Sequence, residues 1–176
     1  CTGIEFDVML SADSAPVIIH DETLERTTNG HGRVPEHSLH ALQQLDAGGK
    51  HHKAYAGETI PQLEALMASA ARHRLWTNIE IKPATGHDDA TGKTVAQALA
   101  AWRGPGIVSS FSGTALRSAR AVAPSLPLAR AARWLHVPGE EAVSREGRHA
   151  LARVLRALVD ARVERPGQGV EVEEIV

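Results

Sequence analysis

Two hydrophobic periodicities take turns along residues 4–129, and that alternation constrains the fold more than any other feature. Ile4, Phe6 and Val8 alternate with Glu5 and Asp7, the period of two expected of a strand. Leu63, Leu66, Met67 and Ala70 then follow helical spacing, i, i+3, i+4 and i+7. Asn78–Lys82 (NIEIK) returns to the strand period, with Ile79 and Ile81 on one side and Glu80 and Lys82 on the other. A second helix is expected with Val95, Ala98, Leu99 and Trp102 on one face. Ile107–Phe111 follows as a core strand, Thr114–Val122 as a third helix and Leu126–Ala129 as a short strand. Strands separated by amphipathic helices predict an α/β fold with a parallel sheet, open or closed.

The segment after Val8 breaks this rhythm. Ser11–Pro16 is turn-like, and Val17–His20 reads as a second strand. The connection is too short for a crossover helix, so a hairpin is expected. A turn centred between Asp13 and Ser14 would set Asp7 opposite His20. Residues 22–60 are polar and rich in Gly and His, with an apolar patch at Leu39, Leu42 and Leu45. They read as a surface excursion or small lid, because long loops in compact domains usually serve function. Pro61 suits the first turn of the helix that follows.

The 176 residues suffice for one domain with a sizeable core. A net charge of −2 gives no electrostatic case for binding nucleic acid or an anionic membrane. No apolar run is long enough to span a bilayer. The single cysteine, Cys1, excludes an internal disulfide.

The strand-borne acids carry the chemistry. A carboxylate flanked by residues that will be buried is costly unless it is paired or holds a metal. Glu5 and Asp7 share one strand face, roughly 7 Å apart along the strand. With Glu80 they offer oxygen ligands only, which suits Mg²⁺ or Ca²⁺ rather than zinc. His20 adds a group that moves protons near neutral pH. Lys82, on the Glu80 face, offers a positive charge to a phosphoryl oxygen. Singly, each of these is an ordinary solvated strand or turn residue.

In order, they are not ordinary. The stretch IEFDVMLSADSAPVIIHDETLERTTNGHG, followed by LDAG, GETIPQLEAL, NIEIKP, TGKTVA, VSSFSGTAL and PSLPLA, closely resembles bacterial glycerophosphodiester phosphodiesterases from Gly3 to Ala129. The resemblance implies a (β/α)₈ barrel of the TIM type, with its site at the C-terminal ends of the strands. It also implies hydrolysis of glycerophosphodiesters to glycerol 3-phosphate and an alcohol. Position by position, Glu5, Asp7 and Glu80 match the family's metal ligands. His20 matches one of its two catalytic histidines, the one that handles the leaving-group proton. Lys82 matches the basic residue beside the phosphate, and Phe111 stands where the family often lines the pocket. The cofactor implied is Mg²⁺ or Ca²⁺, and the partner a small glycerophosphodiester. Cytoplasmic location is expected, with a periplasmic or secreted one left open. The rivals are a sphingomyelinase-D-like or phosphoinositide phospholipase C-like enzyme on the same barrel, and an inactive remnant that binds a cation and a phosphodiester. Asn29-Gly30, NIEIK and PQLEAL favour the glycerophosphodiesterase branch.

Departures from the family are specific. The family's first strand ends in His-Arg-Gly, which supplies the other histidine and an arginine, and this chain begins after that point. The Trp-Thr-Val-Asn segment of the family's last strands is not recognisable either. The expectation is a barrel lacking its first strand and its last strands, with turnover lowered by orders of magnitude or absent. Ser14 occupies a turn position where the family usually has Gly. Residues 1–129 are expected to form the partial barrel. Residues 130–176 form a divergent tail of the composition that an out-of-frame, GC-rich reading would give, with one amphipathic helix at Leu151–Val159.

Other motifs read as structural. Gly86–Thr94 (GHDDATGKT) resembles a phosphate loop, but its glycines are one residue too far apart and its two aspartates would repel phosphate. His37/His40 and His51/His52 lack a second pair at zinc spacing. Trp76, Trp102 and Trp134 read as core or cover residues.

Overall fold

The computed structural model describes residues 2–131, and Trp134 and the helix expected at Leu151–Val159 lie outside them. The period-two segments become strands: β1 (Gly3–Leu10), β2 (Pro16–Ile18), β3 (Trp76–Ile81), β4 (Gly106–Ser110) and β5 (Leu128–Arg130). The helices are α1 (Leu39–Leu42), α2 (Leu63–Arg72), α3 (Asp88–Ala98) and α4 (Gly113–Val122). One sheet runs in the order β2-β1-β3-β4-β5. β1, β3, β4 and β5 are parallel, and β2 is antiparallel to β1 at the edge.

Each parallel strand lies beside the next one in the chain, and the helices between them pack on one face of the sheet. Phe6 and Val8 of β1, Ile79 and Ile81 of β3 and Val108 of β4 form that face. They are buried against Leu63 of α2, Val95, Ala96 and Leu99 at α3, and Ala115 and Ala119 of α4. A doubly wound sheet would reverse its strand order and place helices on both faces. Single winding with one-sided helices is the βα repeat of a TIM-type barrel. The opposite face is the barrel interior, where Glu5, Asp7, Asn78, Glu80 and Ser109 project by alternation.

The hairpin exists, but its register differs from the expectation. Val8 pairs with Ile18, Met9 with Val17 and Leu10 with Pro16. The turn therefore centres on Asp13, and Asp7 lies opposite Ile19, whose N–H donates to the Asp7 carbonyl at 3.1 Å. The five-residue turn accounts for the one-residue slip. The Ser11 hydroxyl donates to Asp13 (2.6 Å) and accepts from the Ala15 N–H (2.9 Å), while Ser14 adopts φ 62°.

Residues 22–60 do more than skim the surface. Leu24, Val34, Leu42 and Ile60 are buried with Met9, Val17 and Ile19, forming a second small core. Two of the recognised motifs brace each other there. The Asn29 side-chain oxygen accepts from the Asp46 N–H (2.9 Å), and the Asp46 carboxylate accepts from the N–H groups of Gly48 and Gly49. A Cβ on Gly30 would lie 2.6 Å from Leu45 Cδ1, so a larger residue there would push that side chain aside. The hairpin tip joins the same unit, because Asp13 accepts from the Leu39 N–H at 2.8 Å.

Three details correct the reading of the helices and strands. Gln62 is the N-cap of α2, so Pro61 precedes the helix rather than starting it. The buried stripe of α3 is Thr91, Gly92, Val95 and Ala96, continued by Leu99, while Ala98 is exposed and Trp102 lies past the helix end. That rotation follows from Gly92, where a Cβ would come within 2.2 Å of the Ala115 carbonyl oxygen of α4. Asp89 accepts from Ser118 at 2.6 Å, and Asp88 accepts from Ser112. The segment resembling a phosphate loop is thus the α3–α4 contact. β4 ends at Ser110, which leaves Phe111 just beyond it and 49% exposed.

Candidate active site

Parallel pairing builds the acidic cluster. The register sets Asp7 beside Glu80 and Glu5 beside Asn78 on adjacent strands, with all four side chains on the interior face. One ligand oxygen from each of Glu5, Asp7 and Glu80 lies within 4.8 Å of the others, close enough to hold one metal ion. All three expected ligands come together. Lys82, the residue after β3, brings Nζ to 3.3 Å from an Asp7 carboxylate oxygen. Its position is fixed by its own N–H, which donates to the Val8 carbonyl at 3.0 Å.

The carboxylates of the cluster repel one another in spite of Lys82. Glu80 is 7% exposed. Burial, then the Asp7 carboxylate, with a smaller push from Glu5, raises its pKa to about 7 against the pull of Lys82. The Glu5 carboxyl is also raised, by desolvation first and then by Asp7, although the side chain is otherwise open to solvent. Lys82 and His20 pull it the other way. A hard divalent cation would reverse these shifts by favouring every charged form at once.

His20 follows β2, near enough to Glu5 for its charge to act on that carboxyl, and is mostly exposed. Its Nδ1 lies 2.6 Å from Asp21 Oδ1. Arg26 clamps Asp21 with two donors, Nη2 at 2.8 Å and Nε closer still. The Arg26 hydrogen bond comes first among the effects that hold the Asp21 carboxyl far below the usual carboxylate range. An ionised carboxylate only accepts, so His20 Nδ1 carries the proton and Nε2 is left to exchange one. Asp21 and Arg26 were not singled out from sequence. The signal that would have found them is the His-Asp dipeptide with an arginine five residues on, inside one turn-rich segment.

Glu22 locks the rim nearby. It accepts from Arg33 Nε (2.8 Å) and from the Thr85 hydroxyl (2.9 Å), tying residues 22–33 to the loop that follows Lys82. His51 and His52 sit with Tyr55 in an exposed ring cluster, with centroids 5.7 and 6.3 Å from the tyrosine ring. His37 Nδ1 contacts the Arg33 carbonyl at 2.9 Å. No helix among the described residues is long and apolar enough to cross a membrane.

Known proteins resemble this chain in sequence and fold. The model of the glycerophosphoryl diester phosphodiesterase family matches residues 1–154, which continues past Arg130 into the tail. A glycerophosphodiester phosphodiesterase of Caldanaerobacter subterraneus is 37% identical over 128 residues, covering 72% of this chain and 53% of the relative. Among solved structures, a phosphodiesterase of Oleispira antarctica in complex with the product sn-glycerol-3-phosphate is 38% identical, with a TM-score of 0.68. That match covers 73% of this chain and 53% of the other. A glycerophosphodiester phosphodiesterase of Agrobacterium tumefaciens is 34% identical, with a TM-score of 0.61 over the same shares. The chain spans about half the length of the relatives it matches. With a family match over most of its length, the chain belongs to the glycerophosphoryl diester phosphodiesterase family.

Proposed function

We propose that this chain carries the metal-dependent site of an enzyme that hydrolyses glycerophosphodiesters to glycerol 3-phosphate and an alcohol. The observation that carries the reading is the convergence of Glu5, Asp7 and Glu80 from two strands within 4.8 Å, beside Lys82. The donor set is all oxygen, which fits Mg²⁺ or Ca²⁺, and the burial and like-charge repulsion that raise the Glu80 pKa are what a bound cation would offset. A bound cation supplies Lewis-acid polarisation of the phosphodiester and neutralises its charge.

The chain's own groups do the rest. Lys82, already beside Asp7, is placed to pair with a phosphoryl oxygen. His20, oriented by Asp21 through Nδ1, delivers a proton to the departing alkoxide when Nε2 is also protonated, and is left as the neutral imidazole. Phe111, exposed past the end of β4, is assigned to the pocket wall. Division of the chain into a barrel part, 1–129, and a tail, 130–176, belongs to the same proposal, as does a cytoplasmic location. The complexed product of the Oleispira antarctica relative supports the substrate class.

Release of glycerol 3-phosphate from glycerophosphocholine in Mg²⁺ or Ca²⁺ tests the reading. The expected result is turnover orders of magnitude below that of a full-length relative, abolished by EDTA and lowered further, by roughly 10²–10⁴-fold, in His20→Ala. Turnover that persists in EDTA or in E80Q would overturn it. Cation binding without any product would support the binding remnant instead.

A further inference from the structure

One buried polar group beside the cluster has an unmet donor. Asn78 is 1% exposed, on the interior face of β3 two residues before Glu80. Its Oδ1 accepts from the Ser109 hydroxyl of β4 at 2.8 Å. Its Nδ2 is buried and has no hydrogen-bond partner among the described residues. Leaving a buried amide donor unmade costs about 1–3 kcal/mol, so such an orphan inside a core calls for an explanation.

Geometry says where the donor is directed. β3 lies between β4 and β1. Ser109 holds the oxygen branch of the amide on the β4 side, so the nitrogen branch faces β1. The β1 residue in register with Asn78 is Glu5, and the neighbouring strand lies about 4.8 Å away. Nδ2 is a donor only, so it cannot ligate a cation but can hold a carboxylate that does. The Glu5 carboxylate and the Asn78 amide are register neighbours that are not hydrogen-bonded to each other.

We propose that Asn78 is a positioning residue for the cation site. When the Glu5 carboxylate turns onto the ion, its second oxygen accepts from Nδ2, and Ser109 keeps the amide turned the right way. The inference rests on reading Glu5, Asp7 and Glu80 as cation ligands. Outer hydrogen bonds of this kind fix ligand carboxylates, and their loss weakens metal affinity by roughly 10–100-fold.

Calorimetric titration of the full chain with MgCl₂ and CaCl₂, paired with melting in EDTA, tests it. The double variant N78L/S109A removes the amide and its hydroxyl partner together, so no polar group is newly orphaned. It is expected to melt in EDTA no lower than the parent yet bind the cation roughly 10–100-fold more weakly. S109A alone, which frees the amide to turn, is expected to weaken binding in the same direction. Parental affinity in either variant would overturn the proposal. So would an affinity loss matched by a lower melting temperature in EDTA, which is what a purely structural asparagine gives. A parent chain that binds neither cation would overturn the ligand reading itself, a failure visible before any variant is made.

Discussion

Glu80→Gln should stabilise the cation-free protein and abolish its response to cations. The structure sets both the sign and the size. The Glu80 pKa rises from 4.5 to about 7 on folding, so between these values the folded chain binds more protons than the unfolded one. Stability linked to this group is greatest below about pH 4.5, falls as pH rises through 7, and is fully lost above it. A shift of that size corresponds to about 3 kcal/mol at pH 8. Glutamine keeps the shape of the side chain and never ionises. In EDTA at pH 8 the variant should melt roughly 10 °C above the parent, and at pH 4.5 the two should nearly coincide. In saturating Mg²⁺ or Ca²⁺ the order reverses. The parent gains RT ln(1 + [L]/Kd), while the variant, having lost a ligand, gains little. Scanning calorimetry at the two pH values, with EDTA or cation, reads all four cases. A variant that melts below the parent at pH 8 in EDTA, with an unchanged cation response, would refute the reasoning.

Other expectations follow from single contacts. Cation affinity should fall by about tenfold per pH unit below 7, because a proton on Glu80 must leave before the ion binds; titrations at pH 6, 7 and 8 check it. Ser14→Gly should stabilise the fold by about 1 kcal/mol, since Ser14 holds φ 62°, where a Cβ is unfavourable; chemical denaturation measures it. Gly92→Ala should destabilise by about 3 kcal/mol in the same assay, because its Cβ would meet backbone of α4 at 2.2 Å. Asp21→Asn should shift His20 away from the Nδ1–H tautomer, which ¹⁵N chemical shifts of the imidazole report directly.

How much of this was legible in the sequence varies with the range of the interaction. The βα order and the interior placement of Glu5, Asp7 and Glu80 follow from periodicity alone, since alternation fixes which face a strand residue takes. That the three carboxylates meet needs β1 to pair with β3 across some seventy residues, and here the motif order supplied what spacing could not. The hairpin register was missed by one residue because it depends on how Ser11, Asp13 and Ser14 close the turn, not on the hydrophobic pattern. The α3 face was misjudged because Gly92, read as part of a decoy loop, is the point where α4 approaches most closely. The core under residues 22–60 was hidden for a similar reason. Leu24, Val34, Leu42 and Ile60 are too scattered to show a period, and only folding over Met9, Val17 and Ile19 gathers them. Nothing in the sequence sets Asn78 apart, because an unmet donor is a property of neighbours and not of sequence.

The claim on which the rest depends is that Glu5, Asp7 and Glu80 together hold one divalent cation. Isothermal titration of the full chain with Mg²⁺ and Ca²⁺ at pH 8, beside the E5Q, D7N and E80Q variants, measures it directly. One saturable site per chain is expected, lost or severely weakened in each variant. Binding of equal strength in all three variants, or none in the parent, would contradict it.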